Sequence, residues 1–171
     1  MNSDSKSPKL NILDDNYAKL NCDISTLKQE SEEYKLVAEF LDNSRGYQNI
    51  KLLDVFKLNR NGEDKIYNPN KLGNKKLLWH GSRFSNFVGI ISQGLRIAPP
   101  EAPRTGYLFG KGVYFADMAA KSAGYTCYNI SDNVGLFLLC EVALGNEKEY
   151  HNFYGNADTL PAGFHSTHGI G

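Results

Sequence analysis

The sequence predicts an α+β domain, and three observations carry that reading. Residues 30–43 place Tyr34, Val37, Phe40 and Leu41 at i, i+3, i+6 and i+7, an apolar stripe at helical spacing. Residues 50–59, 76–79 and 134–144 are short runs rich in Leu, Ile, Val and Phe, the length and composition of strands. Pro99, Pro100, Pro103 and Gly106 make 98–106 a loop, because proline fits neither a helix interior nor a central strand. At 171 residues the chain has room for one domain with a sizeable core.

Each element follows from local chemistry. The first eight residues are rich in Ser, Lys and Asp and read as disordered. Over 10–24 the apolar residues are sparse, with Leu13, Tyr17 and Leu20 as anchors, so a short helical or extended lead-in is expected. The helix at 30–43 has Glu30, Glu32 and Glu33 in its first turn, where the helix dipole favours negative charge, and Arg45-Gly46 to close it. After the strand at 50–59, Asn61-Gly62 suits a tight hairpin, which predicts a returning strand at 63–67. A loop at 71–74 leads to the strand at 76–79. A helix over 85–92 ends at Gly94, with Phe87, Ile90 and Ile91 on one side. A short buried strand is expected at 113–116, then Asp117 as N-cap of a helix over 118–124. The run 134–144 is the most apolar and reads as a central strand. From Gly145 the chain is polar and rich in Gly, His and Asn, with no terminating element expected.

Composition excludes several classes of function. Lys+Arg and Asp+Glu balance at 19 each, which argues against a nucleic-acid arm or a polybasic membrane anchor. No apolar run reaches membrane-spanning length, and residues 1–8 have no signal-peptide core. Cys22, Cys127 and Cys140, odd in number and far apart, read as reduced thiols of the nucleus or cytosol. Gly110-Lys111-Gly112 lacks the spacer and the Ser/Thr of a phosphate loop, and no Gly-x-Ser-x-Gly elbow exists. His165 and His168 have no cysteine pair near them, so no metal site is expected.

The stretch Lys76-Leu77-Leu78-Trp79-His80-Gly81-Ser82-Arg83 organises the chain. It reads as a buried strand ending in a turn that presents His80, the bare Gly81 amide and the Ser82 hydroxyl. Taken singly, His80 reads as a satisfied structural histidine, Tyr114 as core and Ser122 as a surface hydroxyl. Their combination, in order, changes that reading. Leu77-Leu78-Trp79-His80-Gly81-Ser82-Arg83, Ser92-Gln93-Gly94-Leu95-Arg96-Ile97-Ala98-Pro99-Pro100-Glu101-Ala102-Pro103 and Gly110-Lys111-Gly112-Val113-Tyr114-Phe115-Ala116-Asp117 resemble the poly(ADP-ribose) polymerase catalytic domain, in its DNA-damage-responsive branch. Gly135-Leu136 and Glu141-Val142-Ala143-Leu144-Gly145-Asn146 add to the likeness, which runs from about Asn16 onward.

The resemblance implies a split antiparallel β-sheet with flanking helices, incomplete at the C-terminus. It divides the chain into a lead-in at 1–15, the tail of a helical regulatory domain or linker at 16–30, and a truncated catalytic domain at 31–171. It implies NAD+ as substrate, cleaved at the nicotinamide–ribose bond, with ADP-ribose passed to Asp, Glu or Ser side chains of protein acceptors. Under it His80 hydrogen-bonds the adenosine ribose, and Gly81 pairs its N–H and C=O with the nicotinamide carboxamide. Ser122 adds its hydroxyl there, Tyr125 stacks on the ring and Tyr114 lines the other wall. Ser82, Asn86, Gly89 and Arg96 lie around the adenosine, and Lys121 lies beside the reacting centre. His80, Tyr114 and Lys121 are thus the expected catalytic residues. The family's catalytic glutamate, on a later strand, is expected beyond Gly171, and without its strand the chain alone is expected to fold poorly. A nuclear location follows, with DNA engaged only through modules outside this chain and no membrane contact. Two other readings stand beside the enzyme: a non-catalytic NAD- or ADP-ribose-binding fragment and, more weakly, a DNA-binding module.

Overall fold

Apolar faces at helical and strand spacing pack around one tryptophan. The computed structural model describes residues 11–98, 107–157 and 159–170. The disorder expected at 1–8 lies outside them, as does all but Ala98 of the 98–106 loop. The lead-in is both helical and extended: helix α1 (Ile12–Ala18) is capped by Asn11, and strand β1 (Cys22–Thr26) follows. Helix α2 (Glu32–Ser44) begins on Ser31, whose hydroxyl accepts the N–H of Tyr34, and ends at Arg45, with Gly46 at φ 59°. The sequence placed this helix within two residues at each end.

Strand β2 (Phe56–Arg60) is shorter than the expected 50–59 strand, and the hairpin at Asn61-Gly62 does not form. β2 pairs instead with β1, antiparallel, Cys22 opposite Arg60 and Thr26 opposite Phe56. Gly62 does adopt φ 82°, but it opens helix α3 (Glu63–Ile66) where a returning strand was expected. The expected 71–74 loop begins inside a further short helix, α4 (Pro69–Leu72), with proline in its first turn. A two-residue turn is a local preference, and the longer ladder with β1 outweighs it.

Strand β3 (Lys75–Ser82) runs through His80 and Gly81, so the polar turn expected after Trp79 is strand. It pairs along its length with β4 (Leu136–Ala143), from Lys75 opposite Ala143 to Ser82 opposite Leu136. On its other edge Trp79 forms a bridge with Ala116, Trp79 N–H to Ala116 O at 2.7 Å and the reverse at 2.9 Å. That bridge stands in place of the expected 113–116 strand, and among the described residues it gives β3 a partner on each edge. Helix α5 (Phe84–Gln93) follows and stops at Gly94, φ 81°. Helix α6 (Ala119–Ala123) has Met118, not Asp117, at its N-cap, and no side chain caps it. Strands β5 (Glu147–Tyr150) and β6 (Ser166–Gly169) form a parallel pair where no terminating element was expected. The architecture is α+β, with three two-stranded sheets among the described residues.

The core lies where α2 and α6 cover β3. Leu41, Trp79 and Ala119 are buried, with Val37, Phe40, Ile50, Leu52, Phe137 and Leu139 against them. Phe40 stacks on Trp79 at 5.5 Å and Phe137 meets it edge-on at 5.9 Å, contacts worth about 1 kcal/mol each beyond burial. The indole N–H donates to Ser44 Oγ at 2.9 Å, and Ser44 donates to Phe40 O at 2.6 Å. That chain of donors ties the end of α2 to β3 and so fixes the strand that carries His80. All three cysteines are free thiols.

Candidate functional site

The alternation of a β-strand sets the site. Trp79 spends both main-chain groups on Ala116, away from β4. Two residues on, the N–H and C=O of Gly81 point to that same edge, while His80 faces β4 with its main chain. A main-chain donor and acceptor thus stand side by side along one edge of β3, the pattern that binds a carboxamide.

Helix α6 closes on this edge. A Cβ built on Gly81 would lie 2.0 Å from Ser122 O and 3.2 Å from Thr126 Cγ2. Glycine at 81 is therefore required by the approach of a helix backbone, a reason the sequence did not disclose. The Ser122 hydroxyl, 3% exposed as a residue, donates to Trp79 O at 3.2 Å. Thr126, 1% exposed, donates to Ala123 O at 2.8 Å. Sequence reasoning missed Thr126. It lies in the turn that follows α6, past the expected end of that helix, and no local pattern marked it.

The segment leading into Ala116 supplies the opposite side. His80 Nδ1 lies 2.8 Å from Tyr114 O. A carbonyl only accepts, so Nδ1 carries the proton and a neutral ring leaves Nε2 as acceptor. Phe115 packs edge-on against the imidazole at 5.8 Å. The Tyr114 hydroxyl donates to Gly110 O at 2.6 Å and accepts the Phe109 N–H at 3.0 Å, folding the 109–114 loop around the tyrosine tip. Its ring lies 6.0 Å from that of Tyr107. Past β3, Asn86 Nδ2 donates to Ser82 Oγ at 2.9 Å across the first turn of α5.

His80, Gly81, Ser82, Asn86, Tyr114 and Ser122 are thus brought to one strand end by direct contacts. The other sequence-derived candidates lie further out. Tyr125 is 61% exposed, one turn beyond Ser122, and Lys121 is exposed on α6. Arg96 is exposed and donates to Gln93 Oε1 at 2.7 Å. Gly89 is exposed on α5, where a methyl group would meet nothing within 4 Å, so packing does not explain a glycine there. Asp117 makes no cap. Near the Tyr114 side, Tyr107, Gly110, Lys111, Phe153, Gly155 and Asn156 line a cavity of about 250 Å³.

The ionisable groups with displaced pKa values lie off this edge. Burial pushes the Cys140 thiol on β4 up to about 11. Desolvation raises Glu147, but hydrogen bonds from Lys76 and Asn74 with the charges of Lys76 and His168 outweigh it, holding the carboxyl below its ordinary range. No group of three or more His, Cys, Asp and Glu that could hold a metal occurs among the described residues.

Comparison with known proteins matches the sequence to a family. Residues 31–171 match the model of the family described as "Poly(ADP-ribose) polymerase catalytic domain". The chain is 54% identical over 166 residues to "Poly [ADP-ribose] polymerase 1" of Arabidopsis thaliana, covering 93% of this chain and 17% of that protein. Against "Poly [ADP-ribose] polymerase 1" of Gallus gallus it is 49% identical over 164 residues, 93% of this chain and 16% of that protein. Against "Poly [ADP-ribose] polymerase 2" of Arabidopsis thaliana it is 49% identical over 163 residues, 91% of this chain and 25% of that protein. The chain therefore spans a quarter or less of the length of these relatives. With its α+β architecture and the β3 edge bounded by His80, Tyr114 and Ser122, the chain belongs to the poly(ADP-ribose) polymerase catalytic domain family.

Proposed function

We propose that this chain carries the nicotinamide-binding part of an NAD+ ADP-ribosyltransferase that releases nicotinamide and passes ADP-ribose to protein side chains. The observation that supports it most is the edge of β3, where Gly81 presents N–H and C=O together beside Ser122. The Gly81 N–H donates to the carboxamide oxygen, and the Gly81 C=O accepts from its NH2. Ser122 turns its proton from Trp79 O to the same carboxamide oxygen. Trp79 O keeps the Ala116 N–H, so the exchange strands no acceptor. Tyr125, exposed in the free chain, covers one face of the pyridine ring, and Tyr114 forms the other wall.

His80 holds the ribose on the adenosine side. Its Nε2 accepts from a ribose hydroxyl because Nδ1–H is held by Tyr114 O. Ser82, Asn86, Gly89 and Arg96 line the adenosine, and Lys121 stands beside the reacting centre. As the C–N bond breaks, positive charge builds on the nicotinamide ribose, and catalysis depends on fixing the departing ring and on nearby negative charge. The reading assigns that charge to a glutamate on a strand following residue 171, as the resemblance implies. Polymer formation, protein acceptors, a nuclear location and a part in DNA repair belong to the same reading. Its DNA contacts fall to other modules.

Titration of the 171-residue chain with nicotinamide is the test. Saturable binding is expected, weakened about tenfold by Ser122→Ala, equivalent to one hydrogen bond. Absence of binding at millimolar nicotinamide overturns the proposal. Release of nicotinamide from NAD+ separates transferase from a binding-only fragment: turnover by this chain eliminates the second reading.

A further inference from the structure

Thr126 has a place in the fold that its polarity does not explain. At 1% exposure it is the largest fully buried side chain among the described residues. Its Oγ1 donates to Ala123 O at 2.8 Å, and its own N–H reaches the same carbonyl at 3.2 Å, so it is fastened to the end of α6. The rest of the side chain fills the space between two glycines. A Cβ on Gly81 would stand 3.2 Å from Cγ2, and a Cβ on Gly135 would stand 3.0 Å from Oγ1 and 3.1 Å from the threonine Cβ. Gly81 lies on β3, and Gly135 immediately precedes β4.

We propose that Thr126 is a positioning residue whose γ-methyl sets the distance between α6 and the Gly81 edge, and through it the fit of the nicotinamide slot. This rests on the function proposed above. The slot needs groups from two elements, the main chain of Gly81 on β3 and the hydroxyl of Ser122 on α6, to reach one carboxamide. Such groups must be held to about 0.5 Å, and a shift of about 1 Å can cost roughly a hundredfold. A β-branched side chain suits this use because its χ1 is confined, so its methyl cannot swing away. The two γ-substituents divide the work. Oγ1 ties the residue to α6, and Cγ2 bears on Gly81. Since the N–H of Thr126 also serves Ala123 O, loss of the hydroxyl leaves that carbonyl partnered, whereas loss of the methyl opens a gap against Gly81.

The test compares Thr126→Ser, which deletes the methyl, with Thr126→Val, which keeps one methyl and replaces the hydroxyl with another. Both are made in the 171-residue chain, with nicotinamide and ADP-ribose as separate probes. Thr126→Ser is expected to weaken nicotinamide about tenfold, with Thr126→Val within about threefold of the unsubstituted chain. ADP-ribose, which draws on His80, Ser82 and Asn86, is expected to bind all three within about twofold. Equal nicotinamide affinity for the unsubstituted chain and Thr126→Ser overturns the role of Thr126 while leaving the slot in place. Parallel loss of both probes assigns Thr126 to general stability and also overturns it. If Thr126→Ser does not fold, Thr126→Val decides: folded but deficient in nicotinamide binding, it sinks the proposal, and at unchanged affinity it supports it. No nicotinamide binding by the unsubstituted chain removes the slot and this assignment with it.

Discussion

At the scale of single residues, Gly81 is the least replaceable position in the candidate site. A methyl there meets the Ser122 main-chain oxygen at 2.0 Å, and a backbone atom cannot swing aside as the end of a side chain would. Gly81→Ala is expected to destabilise the chain by about 1–3 kcal/mol, the usual cost of overpacking, as urea denaturation would measure. It should also abolish detectable nicotinamide binding. Glycine was legible in the sequence as a bare amide, but its steric cause was not, because the obstructing oxygen lies 41 positions later in the chain. Cys140 gives a second prediction. Its thiol is pushed from 9.0 to about 11 by burial, so it stays protonated at neutral pH and should resist iodoacetamide in the folded chain. An unfolded thiol ionises near its ordinary value. The stability held by the protonated form is therefore full below about pH 9 and falls as pH rises toward about 11. Cys140→Ser should flatten that alkaline loss in pH-dependent denaturation.

At the scale of elements, the join between α2 and β3 rests on one hydroxyl. Ser44 accepts the indole N–H of Trp79, which is 3% exposed, and passes its own proton to Phe40 O. Ser44→Ala leaves that N–H without an acceptor and is expected to cost about 1–3 kcal/mol. Trp79 is the chain's single tryptophan, so its emission reports the transition directly. The elements themselves were largely readable: α2, α5 and β4 stand close to where periodicity and apolar runs put them. The failures share a cause. Asn61-Gly62 is a good hairpin turn, yet β2 found β1 across 30 or more residues. His80-Gly81-Ser82 looks like a turn, yet it is strand because Leu136, Phe137 and Leu138 lie opposite. Pairing partners distant in sequence outweigh local turn preference, and a window of a few residues does not contain them.

At the scale of the whole molecule, Glu147 links the β5–β6 pair to the β3–β4 sheet. It accepts from Lys76 at 3.0 Å and Asn74 at 3.0 Å, and Asn74 also donates to Gly145 O at 2.9 Å. Its depressed pKa means that this stabilisation is present above the ordinary carboxylate value of 4.5 and is lost as pH falls through the lower folded value. Acid should loosen β5–β6 before the Trp79 core. Amide exchange of β5 and β6 below about pH 4.5 should show this, and Glu147→Gln should reduce the pH dependence. The described core is small, eight buried apolar residues of which four are alanines, while Phe56, Val88, Phe153 and other large apolar side chains remain exposed. The 171-residue chain alone is accordingly expected to bind a hydrophobic dye such as ANS and to unfold over a broad thermal range. A sharp transition without dye binding would refute this.

The amino-acid sequence by itself determined the family, the order of helices and main strands, and the residue types the site needs, because motifs and periodicity are properties of neighbours along the chain. Only the tertiary structure decided that β3 continues through Gly81, that it has a partner on each edge, and that Ser122 and Thr126 pack against it. Those facts depend on which distant backbones approach within hydrogen-bonding or van der Waals reach, and packing of the complete chain fixes that distance.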